Sequence, residues 1–168
     1  MDRIIKMIET INQWTGKVCS YLVYAGMAVL VYEVFARYAL QTSELWTHGL
    51  AQRFFSVYYL MAGGFVLLYK GHINMDLIYN KTSHRKRVVL NLVSSILIIF
   101  TGIIFVWKGG EFAYNSLVIL ERDNSAWNAP IYPVKVFMPI AGILLTLQAL
   151  ADFYKNIESL MGKKNYGS

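Results

Sequence analysis

The chain has 168 residues, 56% of them apolar, with a mean hydropathy of +0.40, a formal charge of +6 and a pI near 9.4. That is too hydrophobic for an ordinary soluble domain and too short to carry one beside several membrane spans. The basic residues fall between hydrophobic blocks and build no interleaved basic and aromatic surface, which sets nucleic acid aside as a partner, and the single cysteine, Cys19, allows neither an internal disulfide nor a Cys-rich metal site.

Residues 1–14 place Ile4, Ile8 and Ile11 at helical spacing, with Arg3, Lys6, Glu9, Asn12 and Gln13 around the rest of the wheel. The pattern predicts an amphipathic helix over about 3–14 lying in the membrane interface and closed by Trp14. The strongly apolar run starts only after Lys17, unlike a cleaved signal peptide, so this segment is expected to be retained. Span one is predicted at about 17–38, with Glu33 and Arg37 inside its far end. A turn without Lys or Arg follows, and its shortness makes spans one and two antiparallel neighbours.

Span two, about 45–69, holds no Asp, Glu, Lys or Pro, and its one full charge, Arg53, lies about 12 Å from its start at 1.5 Å per residue. Some 25 residues of helix cover about 35 Å, enough to cross a hydrocarbon core of about 30 Å, where only a helix satisfies its own backbone. Span three is predicted at about 88–107. Beyond it, KGGEFAYNSLVILE either continues the helix or lies along the surface. Span four is predicted at about 133–154, with Pro133 in its first turn and Pro139 inside, where a kink is expected. The expected fold is thus an all-α integral membrane protein over 1–168, four transmembrane helices plus the interfacial helix.

Lys and Arg crowd one side of these spans: Arg3, Lys6, Lys17, Lys70, Lys81, 85–87, Lys155, Lys163 and Lys164. Lys108 and Arg122 lie on the other, with Arg37 and Lys135 near its rim. The asymmetry predicts cytoplasmic termini and an external 108–132 loop. Small residues at Gly26, Gly63, Gly64, Gly102 and Gly142 predict close helix approach.

Glu33 and Arg53 fall at similar depth, and an inter-helix ion pair between them, extended by Arg37 one turn after Glu33, is the expected arrangement; separate snorkelling is the alternative. The three histidines, His48, His72 and His84, do not share a depth on different spans, which argues against a bis-histidine haem, and without clustered partners against zinc. The carboxylates scatter, and no nucleophile, base and oxyanion set exists; no catalytic residue, cofactor or metal is expected.

Two stretches are more specific. Arg37-Tyr38, Ser43 and Trp46 around the first hairpin are followed by Gly63-Gly64 and Gly71-His72-Ile73-Asn74-Met75-Asp76. Later come Ser125-Ala126-Trp127, Pro130, Pro133-Val134-Lys135, Pro139, Gly142 and a Leu-rich run ending in Gln148. In this order the chain resembles the small membrane subunit, DctQ type, of tripartite ATP-independent periplasmic (TRAP) transporters; His48-Gly49 and Asn74 depart from the family's usual charges. The resemblance implies a bacterial inner-membrane importer with a large multi-span permease of DctM type and a periplasmic binding protein of DctP type, coupled to sodium and moving organic acids of the C4-dicarboxylate or sialic acid class. It implies a scaffold role for this chain, with Glu33, Arg37, Trp46, Arg53, His72, Asp76, Trp127, Pro130 and Lys135 as structural or contact positions beside membrane lipid. The alternative is a membrane anchor subunit of a redox enzyme, with or without haem.

Overall fold

The computed structural model describes residues 2–42, 44–69 and 84–161, all of whose regular structure is helical apart from one isolated β-bridge. Four helices are described: α1 (Asp2–Ala39), α2 (Leu45–Leu68), α3 (His84–Val118) and α4 (Tyr132–Leu160). At 1.5 Å per residue even the shortest, α2, is about 36 Å long. Segments of three of them, Arg3–Ala39, Val88–Val118 and Tyr132–Leu160, are long and apolar enough to cross a membrane. Helix α2 is long enough, but His48, Gln52, Arg53, Ser56 and two tyrosines dilute its apolar run.

The separate interfacial helix expected at 3–14 is absorbed into α1, which runs unbroken for 38 residues. Trp14 and Lys17 are boundary signals for a membrane, but neither breaks a backbone. Gly16 alone lowers helix propensity by about 1 kcal/mol and is held in the helix by packing: a Cβ there would sit 2.2 Å from the Phe65 ring. The two alternatives left open after residue 107 resolve as a helix, which continues to Val118.

The spatial order is α1, α2, α4, α3. Helix α1 packs chiefly on α2, α2 also on α4, and α4 most extensively on α3; α1 touches α4 as well. The α3–α4 seam is close because Gly102 and Gly142 face each other. A Cβ on Gly142 would come 2.9 Å from the Val106 backbone nitrogen and 3.1 Å from the Gly102 carbonyl oxygen. Helices this close gain dispersion contacts that lipid does not match. The middle of the bundle is apolar, with Cys19, Met61 and Ala141 buried among Leu22, Val57, Leu60, Phe137 and Leu144. Thr101 and Thr146 lie in the helices without opening a polar path, since each hydroxyl donates to the carbonyl four residues back, at 2.9 and 2.7 Å.

Helix α3 ends in a turn that reverses the chain. Leu120 takes a left-handed conformation (φ 46°), and the Glu121 N–H reaches back to the Ser116 carbonyl at 3.0 Å, closing the last turn. The connection then forms a short antiparallel excursion bridged at Arg122 and Pro130. The Asp123 N–H donates to Ala129 (2.8 Å) and the Ile131 N–H to Glu121 (3.0 Å). Asn128, whose short polar side chain suits the left-handed region, makes its tip (φ 49°).

Candidate functional site

Polar side chains concentrate at the two ends of the bundle. At the end carrying the α1–α2 and α3–α4 connections, Arg53 of α2 reaches into the 121–131 excursion. Its guanidinium donates from Nη1 to the Gly49 carbonyl of its own helix (2.7 Å), from Nη2 to Ala129 (3.4 Å) and from Nε to Pro130 (3.5 Å). Asp123 Oδ2 lies 3.5 Å from Nη2, and the guanidinium carbon stands 4.6 Å from the centre of the Trp127 ring. Planar donors in a fixed fork suit several carbonyls and a ring face at once, which the point charge of lysine does not. Gly49 makes room: a Cβ there would be 2.9 Å from Trp127 Cε3 and 3.0 Å from Arg53 Nη1. The result is a clasp that fastens the α3–α4 connection to α2.

A second cation pins the same connection to α4. Lys135 pairs with Glu121 and places its ammonium 4.0 Å from the centre of the Phe112 ring on α3. The hydrogen bond from Lys135 holds the Glu121 carboxyl below the usual carboxylate range. Asp123 is likewise lowered, first by hydrogen bonding from the Ser125 hydroxyl, then by the Ser125 N–H at 3.1 Å, with the Arg53 guanidinium adding to it.

At the opposite end, side chains of α1, α2 and α4 form a ladder. Asn12 Nδ2 donates to Gln148 Oε1 at 3.0 Å, and Gln148 Nε2 donates to Asp152 Oδ1 at 3.3 Å; Asn12 and Gln148 are fully buried. Lys155 pairs with Glu9, and Gln13 Nε2 donates to the Tyr69 hydroxyl at 3.0 Å. Among the described residues Asn12 Oδ1 has no hydrogen-bond partner, and it lies against Gly64, where a Cβ would come 2.2 Å from it. Arg53 and Gly64 are about 16 Å apart along α2, and Lys135 and Gln148 about 20 Å apart along α4, so clasp and ladder occupy opposite halves of the bundle.

The nine sequence-predicted positions divide accordingly. Arg53, Trp127 and Pro130 come together at the clasp, and Lys135 pins the same connection through Glu121 and Phe112. The Glu33–Arg53 pair expected from depth does not form: Glu33 binds Arg37, one turn away on α1, at 2.6 Å, while Arg53 turns to the α3–α4 connection. The local pair needs no second element to be brought in, and Arg53 finds several acceptors in one place. Trp46 donates to Glu44 Oε2 at 3.0 Å and stacks on Tyr32 with ring centres 5.9 Å apart, tying α1 to α2 apart from the clasp. His72 and Asp76 lie outside the described residues.

Sequence reasoning passed over Asp123, Glu121, Glu9, Asp152 and Lys155 as scattered interfacial charges, and Asn12 as the polar side of an interfacial helix. The available signal was Asn12 beside Gly16 and Cys19 in one helix, with Gln148 in an apolar run of another: small residues beside an amide mark where helices meet. Among the described residues no three His, Cys, Asp or Glu side chains gather as metal ligands.

Comparison with known families places this arrangement. The family described as tripartite ATP-independent periplasmic transporters, DctQ component, matches residues 26–159, most of the chain. No curated protein matches it.

Proposed function

The chain belongs to the DctQ family of TRAP transporter components, and from that premise we propose that it is the stationary wall beside which a large permease subunit moves its substrate. As a component of this kind it is a multi-pass membrane protein and not an enzyme. The observation that carries the proposal is the distribution of polar contacts. Clasp and ladder fix the helices to one another at the two ends, while the middle is packed with apolar side chains. A carrier would need polar groups facing a cavity at mid-depth; a wall needs stiffness, and polar links at both rims supply it.

In this reading all four helices span the bacterial inner membrane, α2 included. The ladder end, with its Lys and Arg excess, faces the cytoplasm with both termini, and the clasp faces the periplasm. The partners are a DctM-type permease and a DctP-type binding protein that delivers an organic acid, of the C4-dicarboxylate or sialic acid class, for sodium-coupled import. The clasped 121–131 excursion offers the binding protein a rigid periplasmic surface. His72 and Asp76 are proposed as cytoplasmic contact positions. Sodium-driven uptake should be measured in liposomes holding the large subunit and the binding protein, with and without this chain. Uptake is expected only with it, and equal uptake without it refutes the scaffold role.

A further inference from the structure

Among the described residues each helix has a face that no other helix covers, and these faces differ in chemistry. Between 93 and 104 on α3 the exposed side chains are Val93, Ile96, Leu97, Phe100, Ile103 and Ile104 with the hydroxyls of Ser94 and Thr101, and on α1 they include Met27, Val31, Val34 and Phe35 with Tyr21, Tyr24 and Tyr38. No side-chain amide interrupts these stretches, which match lipid chains. On α2 one face carries His48, Gln52, Ser56, Tyr59 and Gly63 within an arc of about 80° at 3.6 residues per turn; His48, Gln52 and Tyr59 on it are exposed, Ser56 and Gly63 half-buried. Gln52 is exposed, and Tyr59 is 72% exposed. Ser56 satisfies its hydroxyl on the Gln52 backbone carbonyl at 2.7 Å, but among the described residues neither the Gln52 amide nor the Tyr59 hydroxyl makes a hydrogen bond. Gly63 has only a Leu145 methyl within 4 Å of where its Cβ would be.

Gln52 lies about 10 Å below the start of α2 and Tyr59 about 21 Å below it. With α2 centred across a hydrocarbon core of about 30 Å, the Gln52 amide lies about 7 Å inside its edge, where hydrocarbon offers it nothing to bond. We propose that this face of α2 is the seat of one transmembrane helix of the large permease subunit, a helix with a hydrogen-bonding side chain level with Gln52. The proposal rests on the small-subunit reading and specifies its docking face. The contour fixes more of the partner. Along the stripe, Gln52, Ser56, Tyr59 and Gly63 alternate large and small, so a close-packed helix needs a small residue opposite Tyr59 and larger ones opposite Ser56 and Gly63. A second copy of this chain fits poorly, because parallel two-fold pairing sets Tyr59 against Tyr59 and holds the backbones apart at the small positions.

The test uses the complex expressed whole, with a benzophenone amino acid placed singly at Gln52, Tyr59, Val31 or Phe100 and irradiated in native membranes. Adducts with the large subunit are expected from 52 and 59 and not from 31 or 100. In parallel, Gln52→Leu should lower the large subunit recovered with this chain in mild detergent by about 3- to 20-fold, the effect of one inter-helix hydrogen bond in a membrane. It should leave the melting of the chain alone unchanged, since the Gln52 amide bonds to none of the described residues. If the complex is recovered but 52 and 59 label only lipid, or only 31 or 100 reach the large subunit, the docking face is wrong and the scaffold reading stands. Adducts between two copies of this chain overturn the occupant. Failure of the large subunit to co-purify with the unsubstituted chain removes the scaffold reading and the docking face with it.

Discussion

Replacing Arg53 with methionine tests whether the clasp holds the α3–α4 connection to α2. The substitution removes two long hydrogen bonds to Ala129 and Pro130, a 3.5 Å ionic contact to Asp123 and a ring contact to Trp127. It strands little: the Ala129 carbonyl keeps the Asp123 N–H at 2.8 Å, and Asp123 keeps the Ser125 N–H. The loss is therefore that of the interactions alone, roughly 0.5 kcal/mol for each long bond and about 1 kcal/mol for the cation–π contact. Relief of holding a cation inside the rim offsets part of this, leaving about 1–2 kcal/mol against the closed connection. At 1.4 kcal/mol per factor of ten, the open form should become about 5- to 30-fold more populated. Amide hydrogen exchange of the full chain in detergent reads this at Asp123 and Ile131, whose N–H groups bond across the excursion. Exchange there should rise by that factor, while α1 amides near Cys19 stay unchanged. Arg53→Lys should fall between, keeping the charge and losing the fork. A rise of less than about twofold in Arg53→Met would mean that the connection holds itself and that Arg53 merely rests on it.

Three further expectations follow from the same geometry. Glu121 and Asp123 have carboxyls lowered by their folded partners, so the stabilisation they give is complete above the ordinary carboxylate range and is lost as pH falls through the lowered folded values. Protection in the connection, corrected for the intrinsic pH dependence of amide exchange, should be flat from neutral pH down to about 5.5 and fall below about 4, and Glu121→Gln should flatten much of that fall. At the ladder, Asn12→Leu leaves the buried Gln148 Oε1 without its donor and Gln148→Leu leaves the Asn12 amide only the Ile8 carbonyl at 3.3 Å; each should cost about 1–3 kcal/mol of thermal stability in detergent, whereas the double substitution should cost less than the sum of the singles. Leu120→Gly relieves a left-handed leucine whose side chain is largely exposed, and should raise stability by about 1 kcal/mol; a loss would mean that the exposed side chain matters more than the backbone.

Helices of this length and hydropathy were legible in the residues because lipid demands them, and so was closeness at Gly102 and Gly142, since small residues in a span have few other uses. The packing order α1, α2, α4, α3 was not: helices apolar all round carry little periodicity to say which face turns where. Nor was the partner of Arg53 legible. Depth along a helix puts Glu33 and Arg53 level, but it does not give the angle about the axis, and the acceptors that Arg53 uses come from a connection some 70 residues later. The ladder was hidden for a related reason. Asn12 is polar on a wheel that suits a surface helix, and only the continuation of α1 past Gly16 turns that position inward against Gly64 and Gln148.

Residues 52 and 53 bring these threads to one point on α2. They are neighbours separated by about 100° around the axis, so they face different surroundings at the same depth. Arg53 is satisfied from within the chain, by its own helix and a connection folded back to meet it. Gln52 is not. The polarity within α2 therefore has two parts, one consumed by the chain's own fold and one left facing outward. A span of that kind is stable only when protein flanks it on both sides. The bundle supplies one flank through α1 and α4, and the other has to come from the permease. On this argument the chain made without its partner should show α2 exchanging faster than α4, and the complex should slow that exchange along Gln52, Ser56 and Tyr59 more than anywhere on α3. Equal protection of α2 with and without the large subunit would mean that the bundle satisfies this helix by itself, and the outward amide would then lose its meaning as a mark of the interface.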